Sequence, residues 1–231
     1  VNGLNEGIYD LSLLEHGGRV SVLDMTYAYS VFASLGDVNG FPVEANSPGF
    51  RTHDPVAVKR IEDANGNLIW AYDEQQILLG RINILQAEAA YLVNDILSDP
   101  NPRRITLGES TVLETSRPAA VINGLTSDHV DNWTIGYTPS IVTGVHLGRA
   151  NGGTMSLDDY GIEGAAPLWQ AITDYIHDRD NLPADGWQRP AMIAETDVCL
   201  ISGMSPNGAC QTRSEIFLNS NQFPAEDTYW Q

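Results

Sequence analysis

The chain has 231 residues, of which 42% are hydrophobic, and its formal net charge is −18 with a pI of about 4.3. This length and composition suit one substantial hydrophobic core, and so acidic a surface would be repelled by nucleic acid and by anionic membranes. No apolar run reaches the roughly 18 residues that a membrane span needs, and we do not expect a signal peptide at the N-terminus. Because the sequence does not begin with methionine, we expect the chain to continue upstream.

The first predicted element is a helix over residues 21–35. Ser21 can accept a hydrogen bond from the first turn, Asp24 suits that turn, and Gly36 suits the end of the helix. Apolar side chains occur on nearly every face of this segment. We therefore expect a central, buried helix.

A hairpin and a second helix are predicted next. Segments 56–62 and 68–72 flank an Asn65-Gly66 turn, a dipeptide typical of tight hairpins. The helix over residues 83–97 would begin with Asn83 as its cap and end before Pro100.

Two strands and a third helix follow. Apolar and polar residues alternate over 132–137, which indicates a strand, and 141–148 is predicted as a second strand after a turn. A helix is predicted over 164–177 with Pro167 in its first turn, where proline is tolerated. From Leu182 onward we predict a loop-dominated tail. The fold class is therefore α+β, an antiparallel sheet packed with helices.

Three stretches are similar, in this order, to one known family. Residues 23–33 read LDMTYAYSVFA, residues 60–68 read RIEDANGNL, and RPAA at 117–120 precedes DNWTIGYTP at 131–139 and VTGVHLG at 142–148. Together they resemble the transpeptidase domain of class A penicillin-binding proteins. The resemblance implies a partial penicillin-binding or serine β-lactamase-like transpeptidase fold over 1–180, corresponding to the C-terminal half of the domain, with a loop-rich tail over 181–231.

The resemblance also implies acyl transfer in cell-wall synthesis. In the family a serine attacks the D-Ala-D-Ala peptide of a peptidoglycan stem, and β-lactams acylate the same serine; no cofactor takes part. The catalytic groups come from Ser-x-x-Lys, Ser-x-Asn and Lys-Thr-Gly motifs. This chain has a single lysine, Lys59, and Val56 stands three residues before it, so Ser-x-x-Lys is absent. The Ser-x-Asn match at 205–207 follows the last helix, and we interpret it as chance. We predict no catalytic residue in this chain.

The position of the Lys-Thr-Gly motif follows from the residues on either side of it. Aligned without gaps between RPAA and DNWTIGYTP, the motif falls on Ile122, Asn123 and Gly124, with Thr126 two residues later. The glycine would still allow a substrate close to the strand. The lysine that would attract a carboxylate is replaced by isoleucine. We therefore predict these four residues to be a degenerate substrate-binding strand.

The two cysteines, Cys199 and Cys210, could form a disulfide, half of a metal site, or two free thiols. No histidine or second cysteine pair lies nearby with zinc spacing, so we predict the disulfide and no metal. A disulfide indicates an oxidising compartment. The resemblance likewise implies an extracytoplasmic location, with membrane anchoring only through segments that this chain lacks.

The histidines and aspartate pairs are predicted to have ordinary structural roles. We expect His53 and His129 to lie in solvated loops, and His146 to pack where the family often has tryptophan. The aspartates at 158–159 and at 178 and 180 are expected on exposed loops and helix ends.

The sequence leaves three hypotheses open. In the first, the chain is part of a transpeptidase, a family whose members bind stem peptides and β-lactams. In the second, it is a non-catalytic module that binds peptidoglycan peptides or a protein partner. The third is an unrelated acidic domain, which is disfavoured if strands beginning at Val121, Asn132 and Ile141 are consecutive antiparallel neighbours. Because half of the domain would be missing, we expect exposed apolar surface that binds that half or another copy of this chain.

Overall fold

A computed structural model of the chain describes residues 20–43, 53–73, 81–108, 111–156 and 161–229. Four helices and eleven strands lie in these ranges. The helices are α1 (Val22–Ala33), α2 (Ala87–Ser98), α3 (Pro100–Leu107) and α4 (Ala165–Arg179). The strands are β1 (Asp37–Val38), β2 (Phe41–Pro42), β3 (His53–Asp54), β4 (Arg60–Glu62), β5 (Leu68–Ala71), β6 (Ile82–Asn83), β7 (Ala120–Leu125), β8 (Asn132–Tyr137), β9 (Val142–Leu147), β10 (Ala194–Cys199) and β11 (Thr212–Phe217). None of the helices in these ranges is long and apolar enough to cross a membrane.

The centre of the fold is a three-stranded antiparallel sheet in the order β7-β8-β9. Its strands are consecutive in sequence, and their pairing is regular along six residues of each strand. This is the order that the sequence predicted, and it argues against the hypothesis of an unrelated domain. The fold class, mixed helices and antiparallel strands, is confirmed.

Helices cover both faces of this sheet, because side chains of successive strand residues point to opposite faces. A methyl group at Gly144 of β9 would overlap Thr26 and approach Val22, so this face lies against α1. A methyl group at Gly136 of β8 would overlap the ring of Trp169, so the opposite face lies against α4. The two faces are called here the α1 face and the α4 face.

Each face has its own hydrophobic core. On the α4 face, Val121 and Trp169 pack together with neighbours from the segment that precedes β7, and Trp169 is fully buried. On the α1 face, Ala120 and Tyr137 are fully buried beneath α1 and α2. Tyr137 also donates a hydrogen bond to Asn94 Oδ1 at 2.9 Å.

The predicted cap and end of α1 are confirmed. Ser21 Oγ accepts a hydrogen bond from the backbone N–H of Asp24 at 3.0 Å, and Gly36 has a φ of 103°, a conformation that glycine adopts without strain. The expectation that α1 is buried on nearly every face is wrong, because Ala33 is its one fully buried residue and Leu23 is 59% exposed.

The predicted start of the second helix is also wrong. Asn83 belongs to β6, where it pairs with Asp37 of β1 and donates to its carboxylate, and Gln86 precedes the first turn of α2. Pro100 does end α2, but it also begins α3, whose cap is Asp99. Proline suits this first helical position because the N–H that it lacks would have no partner inside the helix.

The predicted hairpin is confirmed as β4 and β5, and every residue of both strands is exposed. The tail is less irregular than predicted. It contains a second antiparallel hairpin of β10 and β11, paired along six residues from Ala194 to Cys199.

Candidate functional site

The predicted site strand is β7, at the edge of the described sheet. Ile122 pairs with Ile135 of β8, and Gly124 pairs with Trp133. Ile122 therefore points to the α1 face, in the same row as Gly144 of β9. Ile135 in the middle of this row is buried, whereas Ile122 is 40% exposed. The isoleucine thus lies at the open margin of the α1 face.

Asn123 points to the opposite face, and its side-chain amide binds the neighbouring strand β8. Its Nδ2 donates to the carbonyl oxygen of Trp133 at 3.1 Å and to Thr134 Oγ1 at 2.9 Å. These two bonds hold the amide against β8. Asn123 therefore stabilises the β7–β8 pair and does not replace the cation of a carboxylate site.

Gly124 leaves open space on the α1 face. The nearest atom that an added methyl group would meet is Trp133 Cβ at 3.9 Å, an ordinary contact distance. Gly124 itself is exposed, as is the following residue Leu125. An extended ligand could therefore approach the backbone of this part of β7.

Thr126 forms the turn between β7 and β8. Its Oγ1 accepts hydrogen bonds from the backbone N–H of Asp131 at 2.9 Å and of Val130 at 3.1 Å. His129 lies in the same turn with a φ of 59°, and its carbonyl oxygen accepts from Met155 N. The prediction that His129 lies in a turn is confirmed.

His146 lies beside the open end of the site. Its ring centroid is 4.5 Å from that of Trp133, as the predicted packing role requires, and its Nε2 is 2.6 Å from Asp131 Oδ1. Both side chains are partly exposed. The pair adds a polar group to the row of Gly124, with Trp133 between them. The sequence did not predict it, because His146 and Asp131 meet only through the pairing of β8 with β9.

A second polar cluster lies at the other end of the sheet and was also missed. His177 is buried, and its Nδ1 is 3.0 Å from Arg117 Nη1 while its Nε2 is 3.0 Å from Thr138 Oγ1. Since arginine can only donate, Nδ1 accepts and Nε2 carries the proton. Burial, and then the charge of Arg117, lower the pKa of His177 below its ordinary value. Arg117 also binds Asp178, so the network ties the segment before β7 to α4.

The remaining predicted polar residues are placed as follows. His53 is buried in β3, opposite Pro42 of β2, so the expectation of a solvated loop is wrong. Asp178 is exposed and Asp180 forms an ion pair with Arg179, as expected of a helix end. The aspartates at 158–159 lie outside the described residues.

Cys199 and Cys210 form the predicted disulfide, with a Cα–Cα separation of 5.6 Å. Cys199 is the last residue of β10, and Cys210 lies two residues before the start of β11. The bond therefore closes the base of the loop between these two strands. It lies in the tail, and the site strand β7 belongs to a different sheet.

No protein-family model matches the chain. Curated relatives nevertheless align with most of it. Penicillin-binding protein 1A of Neisseria gonorrhoeae is 30% identical over 169 residues, which cover 72% of this chain and 18% of that protein. Penicillin-binding protein 1A of Clostridium tetani is 26% identical over 202 residues, covering 82% and 22% respectively. The chain thus spans about a fifth of the length of these relatives.

Solved structures show the same fold. Penicillin-binding protein 1A from Haemophilus influenzae matches with a TM-score of 0.69 and 17% identity over 96% of this chain and 35% of that one. The penicillin-binding protein PonA1 from Mycobacterium tuberculosis matches with a TM-score of 0.54 and 19% identity, over 80% and 45%. Helices on both faces of the β7-β8-β9 sheet are therefore part of a penicillin-binding fold. Among proteins with this fold, penicillin-binding protein 1A is related to the chain over most of the 231 residues.

Proposed function

We propose that the chain is a piece or a degenerate form of a peptidoglycan D,D-transpeptidase of cell-wall synthesis, and that as this chain it forms no acyl-enzyme. The observation that carries the proposal is the position of Ile122. It lies on the edge strand of the described sheet, at the open margin of the α1 face, where the aligned family motif has its lysine. An aliphatic side chain there offers no charge to a substrate carboxylate.

The lost contact is large enough to matter for binding. A hydrogen bond between a charged donor and a carboxylate contributes about 1.5–3 kcal/mol. Asn123 does not supply a substitute, because its amide is directed to β8 on the other face. The nucleophile and its activating lysine are absent as well, since the chain's one lysine, Lys59, does not follow a serine at the required spacing. Two independent requirements of acylation are therefore unmet.

A second candidate is a non-catalytic module that binds an extended peptide by strand addition. Within the described residues, β7 is paired on one side only, so its other edge presents backbone N–H and C=O groups. Ile122 and Leu125 are 40% and 45% exposed beside this edge, and Gly124 leaves room for a close backbone. Such an edge suits a peptide of a peptidoglycan stem or a segment of a protein partner.

We also propose an extracytoplasmic location, at the cell surface or in the periplasm. The Cys199–Cys210 disulfide supports it, because disulfides persist in oxidising compartments. The relationship to penicillin-binding protein 1A supports the same location.

Fluorescent penicillin tests the first proposal. The 231-residue chain should remain unlabelled on a denaturing gel, while a penicillin-binding protein 1A treated in parallel should be labelled. Covalent labelling of this chain would overturn the proposal, because it would demand a nucleophile that we hold to be absent.

The sequence of the gene upstream of Val1 separates the two candidates. An upstream Ser-x-x-Lys would make the chain part of a transpeptidase with an unusual Ile122. An open reading frame without that motif would favour the non-catalytic module. A stem peptide that shifts the amide NMR signals of β7 without forming a covalent bond would support strand addition.

A further inference from the structure

Positive charge is concentrated at one pocket of this acidic chain. The pocket has a volume of about 310 Å³ and lies between the start of α3 and the segment that leads into β7. Three of the chain's 12 basic residues line it, namely Arg103, Arg104 and Arg117. One carboxylate, that of Glu114, lines it with them.

Arg103 is held in place by neutral acceptors. Its Nη2 donates to the Ser98 carbonyl at 3.0 Å, its Nε to the Asp99 carbonyl at 3.2 Å, and its Nη1 to the Leu113 carbonyl at 3.0 Å. These bonds use three of the five guanidinium N–H groups. They hold the Arg103 guanidinium in place without neutralising its charge, and two N–H groups remain for another acceptor.

The pocket's carboxylate is already engaged by another arginine. Arg104 Nε donates to Glu114 Oε1 at 3.2 Å, so this carboxylate offsets one of the three guanidinium charges of the pocket. Burial lowers the pKa of Arg103 below its ordinary value, and the nearby carboxylates of Glu114 and Asp99 oppose this only in part. A partly buried cation that lacks a matched countercharge is destabilising, and an anion in the pocket would offset that cost.

Arg117 supplies the third guanidinium. Its side chain is 12% exposed, and its Nη2 binds Asp178, whose carboxylate is 76% exposed to solvent. Its Nη1 faces His177 and the Leu182 carbonyl. Its Nε is buried and has no hydrogen-bond partner among the described residues. This orphaned donor is a second sign that the positive charge here is incompletely satisfied.

We propose that this pocket binds a small oxyanion, a carboxylate or a phosphate group, through Arg103 and Arg104. Guanidinium groups match both anions, since two parallel N–H donors can meet two oxygen acceptors. The volume admits a group of this kind with a short attached chain. The site is distinct from β7, and the proposal stands whether or not the chain derives from a transpeptidase.

Calorimetric titration of the full chain tests the proposal. Inorganic phosphate and succinate, added separately at constant ionic strength, represent the two sources of the anion. We expect saturable binding of at least one of them with one site per chain. Binding of only one identifies whether the ligand is a phosphate or a carboxylate. If neither binds saturably, the proposal is wrong.

Paired variants locate the binding site. Arg104→Gln removes a pocket guanidinium, and Arg60→Gln removes an exposed arginine that is paired with Glu62 on the β4–β5 hairpin. We expect at least tenfold weaker anion binding for Arg104→Gln and unchanged binding for Arg60→Gln. Circular dichroism should show that both variants are folded. Equal affinity in the two variants would mean that any anion binds elsewhere, and would overturn the assignment.

Discussion

Two glycines of the central sheet lie in opposite environments. Gly136 of β8 faces the Trp169 ring, and an added methyl group would overlap two ring carbons and lie 2.7 Å from Nε1. Gly124 of β7 has no neighbour closer than 3.9 Å. The close approach of Trp169 to the sheet therefore requires glycine at 136, whereas the site strand does not require it for packing.

We predict that Gly136→Ala destabilises the protein by about 1–3 kcal/mol, as other overpacked substitutions do. Gly124→Ala is the matched control and should change the free energy of unfolding by less than about 0.5 kcal/mol. Urea denaturation of both variants measures the difference. Equal stability of the two would show that α4 does not pack against β8 as described.

His177 makes stability depend on pH. Its pKa is lowered in the folded state below the ordinary value of 6.5, chiefly by burial. Between these two pKa values the unfolded state binds more protons, so stability falls as pH falls below about 6.5. Arg117 opposes protonation, while Asp174 and Asp178 favour it.

We predict that His177→Asn has a shallower loss of stability between pH 7 and pH 5 than the parent chain. It should also be less stable at pH 7, since asparagine cannot bridge Arg117 and Thr138. A slope in His177→Asn equal to that of the parent chain would contradict the assignment.

At the residue scale, motifs in the sequence fix the position of Ile122 but do not reveal the polar contacts around it. The position of Ile122 follows from motifs on both sides of it in the chain. The contact of His177 with Arg117 joins residues 60 positions apart, and that of His146 with Asp131 depends on the register of β8 and β9. No local pattern encodes such contacts, because they arise from tertiary packing.

Among the elements, the β10–β11 hairpin forms a two-stranded sheet separate from the central sheet. Five of the twelve residues in its strands are exposed, and its loop is closed by the disulfide. Closing a loop of this size stabilises a protein by about 2–3 kcal/mol in the chain-entropy model. The hairpin should therefore respond to loss of the disulfide more than the central sheet does.

We predict that replacing both cysteines by serine speeds amide hydrogen exchange in β10 and β11 and leaves β7, β8 and β9 protected. Exchange followed by mass spectrometry measures both regions in one sample, so the central sheet is the internal control. Uniformly faster exchange across the chain would mean that the tail and the central sheet unfold as one unit.

The elements that sequence patterns predicted best are those with strong local signals. α1 has a capping serine and a terminal glycine, and β8 has clear alternation. The start of α2 was mispredicted because Asn83 fits a helix cap equally well, and only its pairing with β1 decides the matter. The hairpin of the tail was missed because Pro, Gly and Asn recur in the segments around its two six-residue strands.

At the scale of the whole molecule, many large apolar side chains are exposed among the described residues, although the central sheet is covered by helices on both faces. Large apolar side chains are exposed on every helix and on the β4–β5 hairpin, including Leu23 at 59%, Ile69 at 64% and Ile105 at 89%. Apolar surface of this kind, together with unpaired strand edges, favours association.

We predict that the isolated chain self-associates or is only marginally stable. Light scattering during size-exclusion chromatography should give a mass above the 25.2 kDa of one chain, rising with concentration, or thermal unfolding should occur at low temperature. A monomer at all concentrations that unfolds cooperatively at high temperature would contradict this prediction.

The most direct test of the account is the intact mass of the chain after prolonged treatment with benzylpenicillin. We predict an unchanged mass for the parent chain and also for Ile122→Lys, since lysine at 122 restores neither the missing nucleophile nor the lysine that activates it. Ile122 is 40% exposed, so the variant should fold. A covalent adduct on the parent chain, with the mass of one opened penicillin, would show that this penicillin-binding fold retains a reactive nucleophile and would contradict the central claim.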